Sequence, residues 1–356
     1  MKKNNNVEHL AHHMPDWQYT KTHGGIEKHM NINPTAAVPS PKPHQHLVQV
    51  IAAALNPVDY KPVEGLPLLK RLATPHAATP GLDFAGVVVK PAQGSNVKKG
   101  EIVFGVAGPG TPFAGGALSE YAISGEANCV PMPKGMDPVD AATVGVAGLT
   151  AYQSIIPHVK KGDKVFINGG SGGTGCFGIQ IAKAHGCYVA TTCSSKNVEL
   201  CQSLGADSVI DYTKGKVWQQ LKKTGLLFDH VIDNIGNDSE LYFKCHEFTK
   251  PEALFVMVGG SPGFGMIFGG LSKKYWPAAI GGGKRKYTGF FPHPEKADLR
   301  QIGAWMKEGK VKAVIDQKFA FKQAPDAFTR LKTGRARGKI VVDVASETYG
   351  RPVSVA

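Results

Sequence analysis

Five short apolar runs of strand type recur at a nearly fixed pitch through the middle of the chain. They open at Lys164 (KVFING), Cys187 (CYVATT), Ser208 (SVIDY), Asp229 (DHVIDNI) and Ala253 (ALFVMVG), so successive starts lie 23, 21, 21 and 24 residues apart. Between them run helix-period segments: TGCFGIQIAKAH, NVELCQSLG, KVWQQLKKT and SELYFKCHEFT. Near-continuous apolar strands joined by helices need crossover connections, which make the strands parallel and cover both faces of the sheet. The repeat therefore predicts a doubly wound α/β unit. The flanks read differently. Residues 15–130 are rich in Pro, Gly and short β-type runs (LVQVIAAAL, DFAGVVV, EIVFGV, ALSEYAI), which suggests a compact antiparallel or barrel-like domain. The tail adds a helix (EKADLRQIGAWMKEGK) and two strands (VIDQKFAF, GKIVVDV), expected to rejoin that first domain. The expected division is residues 1–148, a nucleotide-type unit at 149–289, and a return at 290–356.

The first strand of the repeat runs into INGGSGGTGCFGIQIAK, where six of the twelve positions from Gly169 to Gln180 are glycine. Glycine inside a helix costs about 1 kcal/mol against alanine, so a cluster at a helix start needs a conformational or steric reason. Gly170, Gly172 and Gly175 have the G-x-G-x-x-G spacing, and Gly173, Gly175 and Gly178 give a second frame. Such a turn lets the backbone approach a pyrophosphate and lets the helix pack on the strand, while the helix N-terminus offers N–H groups to the phosphates. Gly170, Ser171, Gly172, Gly173, Thr174 and Gly175 are thus the candidate diphosphate residues, and the unit reads as a Rossmann domain.

The end of the second strand bears on which dinucleotide binds. An Asp or Glu about 20 residues beyond the glycines usually meets a ribose 2'-hydroxyl. Here the segment offers Ser194, Ser195, Lys196 and Asn197, with no acid until Glu199, which suits a 2'-phosphate and favours NADPH. One of these serines can equally serve as a helix cap. Tyr212, ending the third strand, is placed to stack near the adenine or to fill the core.

Composition sets the remaining bounds. Hydrophobic residues make up 42% and charged residues 19%, as in an ordinary globular protein. The net charge of +13 favours anionic partners, but Lys and Arg are scattered without interleaved aromatics, so no nucleic-acid partner is expected. The six cysteines form no C-x-x-C pair and have no histidines at metal spacing, which fits a reduced, cytoplasmic setting. The apolar run at 253–271 carries six glycines and Pro262, so a strand followed by a loop is expected rather than a membrane span.

Six ordered motifs, AALNPVDYK, PGLDFAGVV, VAGLTAYQSI, GGSGGTGCFGIQIAKAHG, LGADSVIDY and GRARGKIVV, resemble the medium-chain dehydrogenase/reductase superfamily in its zinc-free quinone oxidoreductase (zeta-crystallin-like) branch. The resemblance covers Trp17 to Val344. It implies a GroES-like β-barrel catalytic domain with the Rossmann domain inserted, and a cleft where NADPH meets a quinone or another α,β-unsaturated carbonyl. Where zinc-dependent relatives carry ligands this chain reads NPVDYK and Gly81-Leu82-Asp83, and it has no four-cysteine lobe, so no metal is expected. His44 and His46, in a Pro-rich lead, are expected to be solvated. The resemblance places the NPVDYK loop in the cleft, with Asn56 a donor to the substrate oxygen and Tyr60 or Lys61 a proton source, although solvent can also serve. Asn56-Pro57 is also a turn signal, and Asp59 with Lys61 can be a surface ion pair. Thr150 and the backbone at Val258 and Gly259 would meet the nicotinamide half, and Gly338 with Lys339 would lie near the cofactor. Phe264, Met266, Phe268 and Trp276 read as a wall for a flat substrate or, more simply, as interface or core. Two other readings stay open: a trans-acting enoyl reductase of fungal polyketide type, and a cofactor-binding protein of structural or membrane-sorting duty with little turnover. A homodimer is possible.

Overall fold

The computed structural model describes residues 13–66, 77–108, 115–258 and 283–348. Strands β1 (His13–Tyr19) and β2 (Met30–Ala37) pair antiparallel as a separate two-stranded sheet. The barrel is built on β3 (Gln45–Leu55), which pairs antiparallel with β4 (Asp83–Lys90) and β6 (Tyr121–Gly125). From β4 the sheet continues through β5 (Ile102–Val106) to β7 (Cys129–Pro131).

The repeat in the middle of the chain forms β8 (Lys164–Asn168), β9 (Tyr188–Cys193), β10 (Ser208–Asp211), β11 (Phe228–Asp233), β12 (Thr249–Met257) and β13 (Lys286–Gly289). All six are parallel, in the spatial order β10-β9-β8-β11-β12-β13. This is the Rossmann order, with the reversal of winding between β8 and β11. Strand β13 has no apolar run of its own; its pairing to β12 makes it a strand, which is why the amino-acid pattern did not announce it. The tail then supplies β14 (Ile315–Ala320) and β15 (Lys339–Asp343), and β15 pairs antiparallel with β3, Ile340 opposite Leu55. The Rossmann unit is therefore inserted into the barrel.

Most of the run LVQVIAAAL is buried because β3 serves several apolar clusters, Leu47 joining Met14 and Tyr121 in one of them. Val48, Val50, Ala53 and Leu55 face the barrel interior with Trp17, Phe84, Phe319 and Phe328, whereas Ala52 and Ala54 face a second cluster. A register shift between Val50 and Ala52 accompanies the change of face. The second cluster joins barrel residues Phe104 and Val341 to Leu149 of helix Gly145–Ile155, to Phe177 and Ile181 of helix Gly173–Ala184, and to Leu299 and Ile302 of helix Lys296–Lys307. Each large apolar side chain buried there stabilises the joint by about 1.5–3 kcal/mol. The barrel and the nucleotide unit thus share one core.

One expectation needs correction. His46 is fully buried, and its Nδ1 accepts the Ala92 N–H at 3.0 Å; burial lowers its pKa, so the ring is a neutral part of the barrel. His44 is exposed. The six cysteines are all buried thiols. No helix of the described residues is long and apolar enough to cross a membrane, and the run at 253–271 begins as the end of β12.

Candidate functional site

The glycine turn leaves β8 at Asn168 and reverses at Gly169, whose φ of +85° only glycine adopts without strain. Gly170 donates its N–H to Thr192 O at 2.8 Å and Gly169 donates to Thr192 Oγ1 at 2.8 Å, so the turn lies against the end of β9. A Cβ on Gly170 would stand 2.1 Å from Thr191 Oγ1, and one on Gly175 would stand 2.1 Å from Gly169 O. Those two glycines are demanded by packing. A Cβ on Gly172 would meet nothing nearer than Gly169 O at 3.7 Å, so this glycine keeps the outer side of the turn open. Gly172 caps helix Gly173–Ala184 with no side-chain hydrogen bond, which leaves the first-turn N–H groups to an incoming ligand. An open backbone turn before an uncapped helix suits a diphosphate.

The end of β9 closes one side of this turn. Asn197 donates Nδ2 to Ser171 Oγ at 3.1 Å, and the half-buried Ser194 and exposed Lys196 lie beside it. Ser195 is committed elsewhere, donating its hydroxyl to Asp211 Oδ2 at 2.5 Å. The carboxylate of Asp211, which also accepts the Thr213 N–H at 2.9 Å, is held below its usual range by the Ser195 and Thr213 hydroxyls. This acid reaches the rim from the end of the third strand, so a search of the second strand's end misses it. Tyr212 next to it is 55% exposed, a ring open to a stacking partner rather than a core residue.

The other half of the site is a buried polar cluster where β3 ends and β4 and β15 begin. Asn56 lies in it with its amide fully engaged: Nδ2 donates to Asp83 Oδ2 at 2.8 Å, and Oδ1 accepts from Lys339 Nζ. The expected role of Asn56 as a donor to substrate oxygen is therefore corrected; its N–H groups are spent inside the protein. Lys339 also donates to Asp83 Oδ2 at 3.0 Å and to Leu55 O at 3.1 Å. Its ammonium thus points into this cluster, while its stem passes the glycine turn, Cδ lying 3.0 Å from where a Gly173 Cβ would be. Gly338 donates its N–H to Ser171 O at 2.9 Å and forms a parallel bridge to Gly172. Asp83 completes the set by accepting the Val146 N–H on Oδ1 at 2.6 Å.

Asp59 belongs to the same cluster, not to a surface ion pair with Lys61. It is 3% exposed, and Oδ2 accepts the Asn56 N–H at 2.6 Å. Burial, and next the charge of Asp83, raise its pKa to about 7. Tyr60 and Lys61 follow at partial exposure. Tyr60 packs on the barrel core with the Lys332 ammonium 5.3 Å from its ring centre, and burial raises its pKa. Burial lowers that of Lys61. Thr150 is buried and donates Oγ1 to Val146 O at 2.6 Å, leaving its lone pairs to accept. Val258 donates its N–H to Asp233 O at 2.9 Å at the end of β12; Gly259, Phe264, Met266, Phe268 and Trp276 lie outside the described residues.

Among the described residues no group of three or more His, Cys, Asp or Glu side chains converges to hold a metal ion. Asp83, the carboxylate nearest the expected ligand positions, has both oxygens committed, so these residues do not fit zinc.

Two family models, several relatives and solved structures match the chain. The alcohol dehydrogenase GroES-like domain matches residues 42–134, and the profile described as zinc-binding dehydrogenase matches residues 204–342. A trans-enoyl reductase of Aspergillus terreus is 44% identical over 353 residues, spanning 94% of this chain and 97% of that protein. A chloroplastic quinone-oxidoreductase homolog of Spinacia oleracea is 31% identical, with 92% and 97% spanned. The structure of a quinone oxidoreductase from Coxiella burnetii overlays with a TM-score of 0.79 at 28% identity, covering 93% of this chain and 99% of that one. The chain is an oxidoreductase that belongs to the medium-chain dehydrogenase/reductase superfamily, in its zinc-free, quinone oxidoreductase-like branch.

Proposed function

We propose that this protein is an NADPH-dependent reductase of carbon–carbon double bonds conjugated to a carbonyl, with enoyl thioesters preferred over quinones. The observation that carries the reading is the backbone bond from Gly338 to Ser171, 2.9 Å long, which makes the glycine turn and the Lys339–Asn56 cluster two parts of one wall. The preference for enoyl substrates is supported by 44% identity to a trans-enoyl reductase across nearly the whole of both chains.

The bound nicotinamide supplies the hydride. Gly173, Thr174 and Gly175 offer their N–H groups to the diphosphate, and Ser194, Lys196 and Asn197 receive the 2'-phosphate. Thr150 accepts from the carboxamide. The reduced enone leaves an enolate that needs a proton. Lys61 is the better source than Tyr60, because burial makes the ammonium a stronger acid and the phenol a weaker one.

A screen with NADPH against a crotonyl thioester, a simple enone and a benzoquinone tests this reading. Turnover is expected with the thioester first, and Lys61→Met is expected to lower kcat about 100-fold while Tyr60→Phe changes it little. Equal turnover of all three acceptors would remove the enoyl preference. Tight NADPH binding with no turnover of any acceptor would favour a binding role instead.

A further inference from the structure

We propose that Asp83 is a positioning residue that aligns the nicotinamide end of the site with its diphosphate end. The proposal rests on the reading above that a nicotinamide dinucleotide is bound. Asp83 is fully buried, and its two oxygens serve different elements. Oδ1 takes the Val146 N–H, 2.6 Å away, at the start of the helix that carries Thr150. Oδ2 takes Asn56 Nδ2 at 2.8 Å and Lys339 Nζ at 3.0 Å. From Lys339 the connection runs through Gly338 to Ser171 in the glycine turn. One carboxylate therefore ties the NPVDYK loop, the Thr150 helix and the strand that holds the diphosphate turn.

The joints leave no slack. A Cβ on Gly145 would fall 2.4 Å from Asp83 Oδ1, and one on Gly338 would fall 2.1 Å from Val314 O. Both glycines let backbone come close enough for these bonds to form. Stability alone does not explain the arrangement, since a buried ion pair is often no better than apolar residues of the same volume. What the pair supplies is direction: Asp83 accepts three hydrogen bonds and Lys339 donates three, each to a different group. The residues that face the adenine half have anchors inside the nucleotide unit: Ser195 bonds Asp211, and Asn197 bonds Ser171 in a turn that β9 also holds through Thr192, so none of them bonds the Asp83 set directly.

The test compares two ligands by calorimetry: NADPH, which fills both halves, and adenosine 2',5'-bisphosphate, which fills only the adenine half. Asp83→Asn leaves the Lys339 ammonium without a counter-charge and can fail to fold, so the double variant Asp83→Leu with Lys339→Met is made beside it. In the folded variants the bisphosphate should bind as in the parent, while the advantage of NADPH over it falls by about tenfold or more, the sensitivity expected of misaligned groups. The primary isotope effect with 4-deuterated NADPH should also change, whereas a mere loss of folded protein would leave it alone. A parent-like NADPH advantage in a folded variant would overturn the positioning role and leave the function intact. A double variant that cannot fold would overturn it too, because it would make the pair structural. Parent protein that binds neither ligand would instead refute the functional reading on which this one stands.

Discussion

Replacing Asp59 by Asn removes a carboxyl group that the fold keeps 3% exposed beside Asp83. Burial, and then the like charge of Asp83, raise its pKa from 3.8 to about 7. A folded-state value above the unfolded one means that the fold favours the protonated form. The associated stability is therefore fully present below the unfolded value and is lost as the pH rises through the folded one. The whole loss is about 4 kcal/mol at most, of which about 3 kcal/mol falls between about pH 5 and about pH 8. An Asn side chain keeps an oxygen for the Asn56 N–H, now 2.6 Å from Asp59 Oδ2, and carries no charge to titrate. Urea denaturation of the parent and of Asp59→Asn across this range measures the difference. The parent should lose ground to the variant steadily as the pH rises, and the variant should be the more stable at the alkaline end. Curves that stay parallel within about 0.5 kcal/mol would refute the assignment of Asp59 to a buried, charge-crowded cluster.

Four further outcomes are expected. Gly175→Ala should lower stability by about 1–3 kcal/mol, because its Cβ would stand 2.1 Å from a backbone oxygen that cannot yield. Gly172→Ala, with its nearest neighbour 3.7 Å away, should keep the parent melting temperature yet weaken NADPH binding; equal effects of the two on melting would contradict the division of labour in the turn. The pair Ser194→Ala with Lys196→Glu should cut NADPH affinity by about tenfold and narrow its lead over NADH, and equal affinities in the parent would defeat the 2'-phosphate reading. Phe177→Ala, at a side chain 1% exposed in the core shared by both domains, should cost about 3–5 kcal/mol in denaturation experiments.

The nucleotide unit was legible because its signals are local. Apolar runs at a steady pitch and glycines at fixed offsets report backbone conformation within about 30 residues; β8 to β11 open within a residue of where the pattern puts them, and β12 opens earlier, at Thr249 rather than Ala253. The GroES-like barrel was legible through resemblance rather than through any period of its own. The edge strand β13 and the β1–β2 pair were not read, since pairing partners rather than apolar content define them.

The candidate site divides the same way. By itself the amino-acid order determined an α/β chain with a glycine turn shaped for a diphosphate, because both follow from residues near one another along the backbone. Only the tertiary structure decided that Asp59 and His46 are buried, that Asn56 is spent on its neighbours, and that Asp83 meets Lys339 across 256 positions of chain. A side chain's charge and exposure depend on what packs over it. That covering comes from strands far apart in the chain, so no local spacing records it.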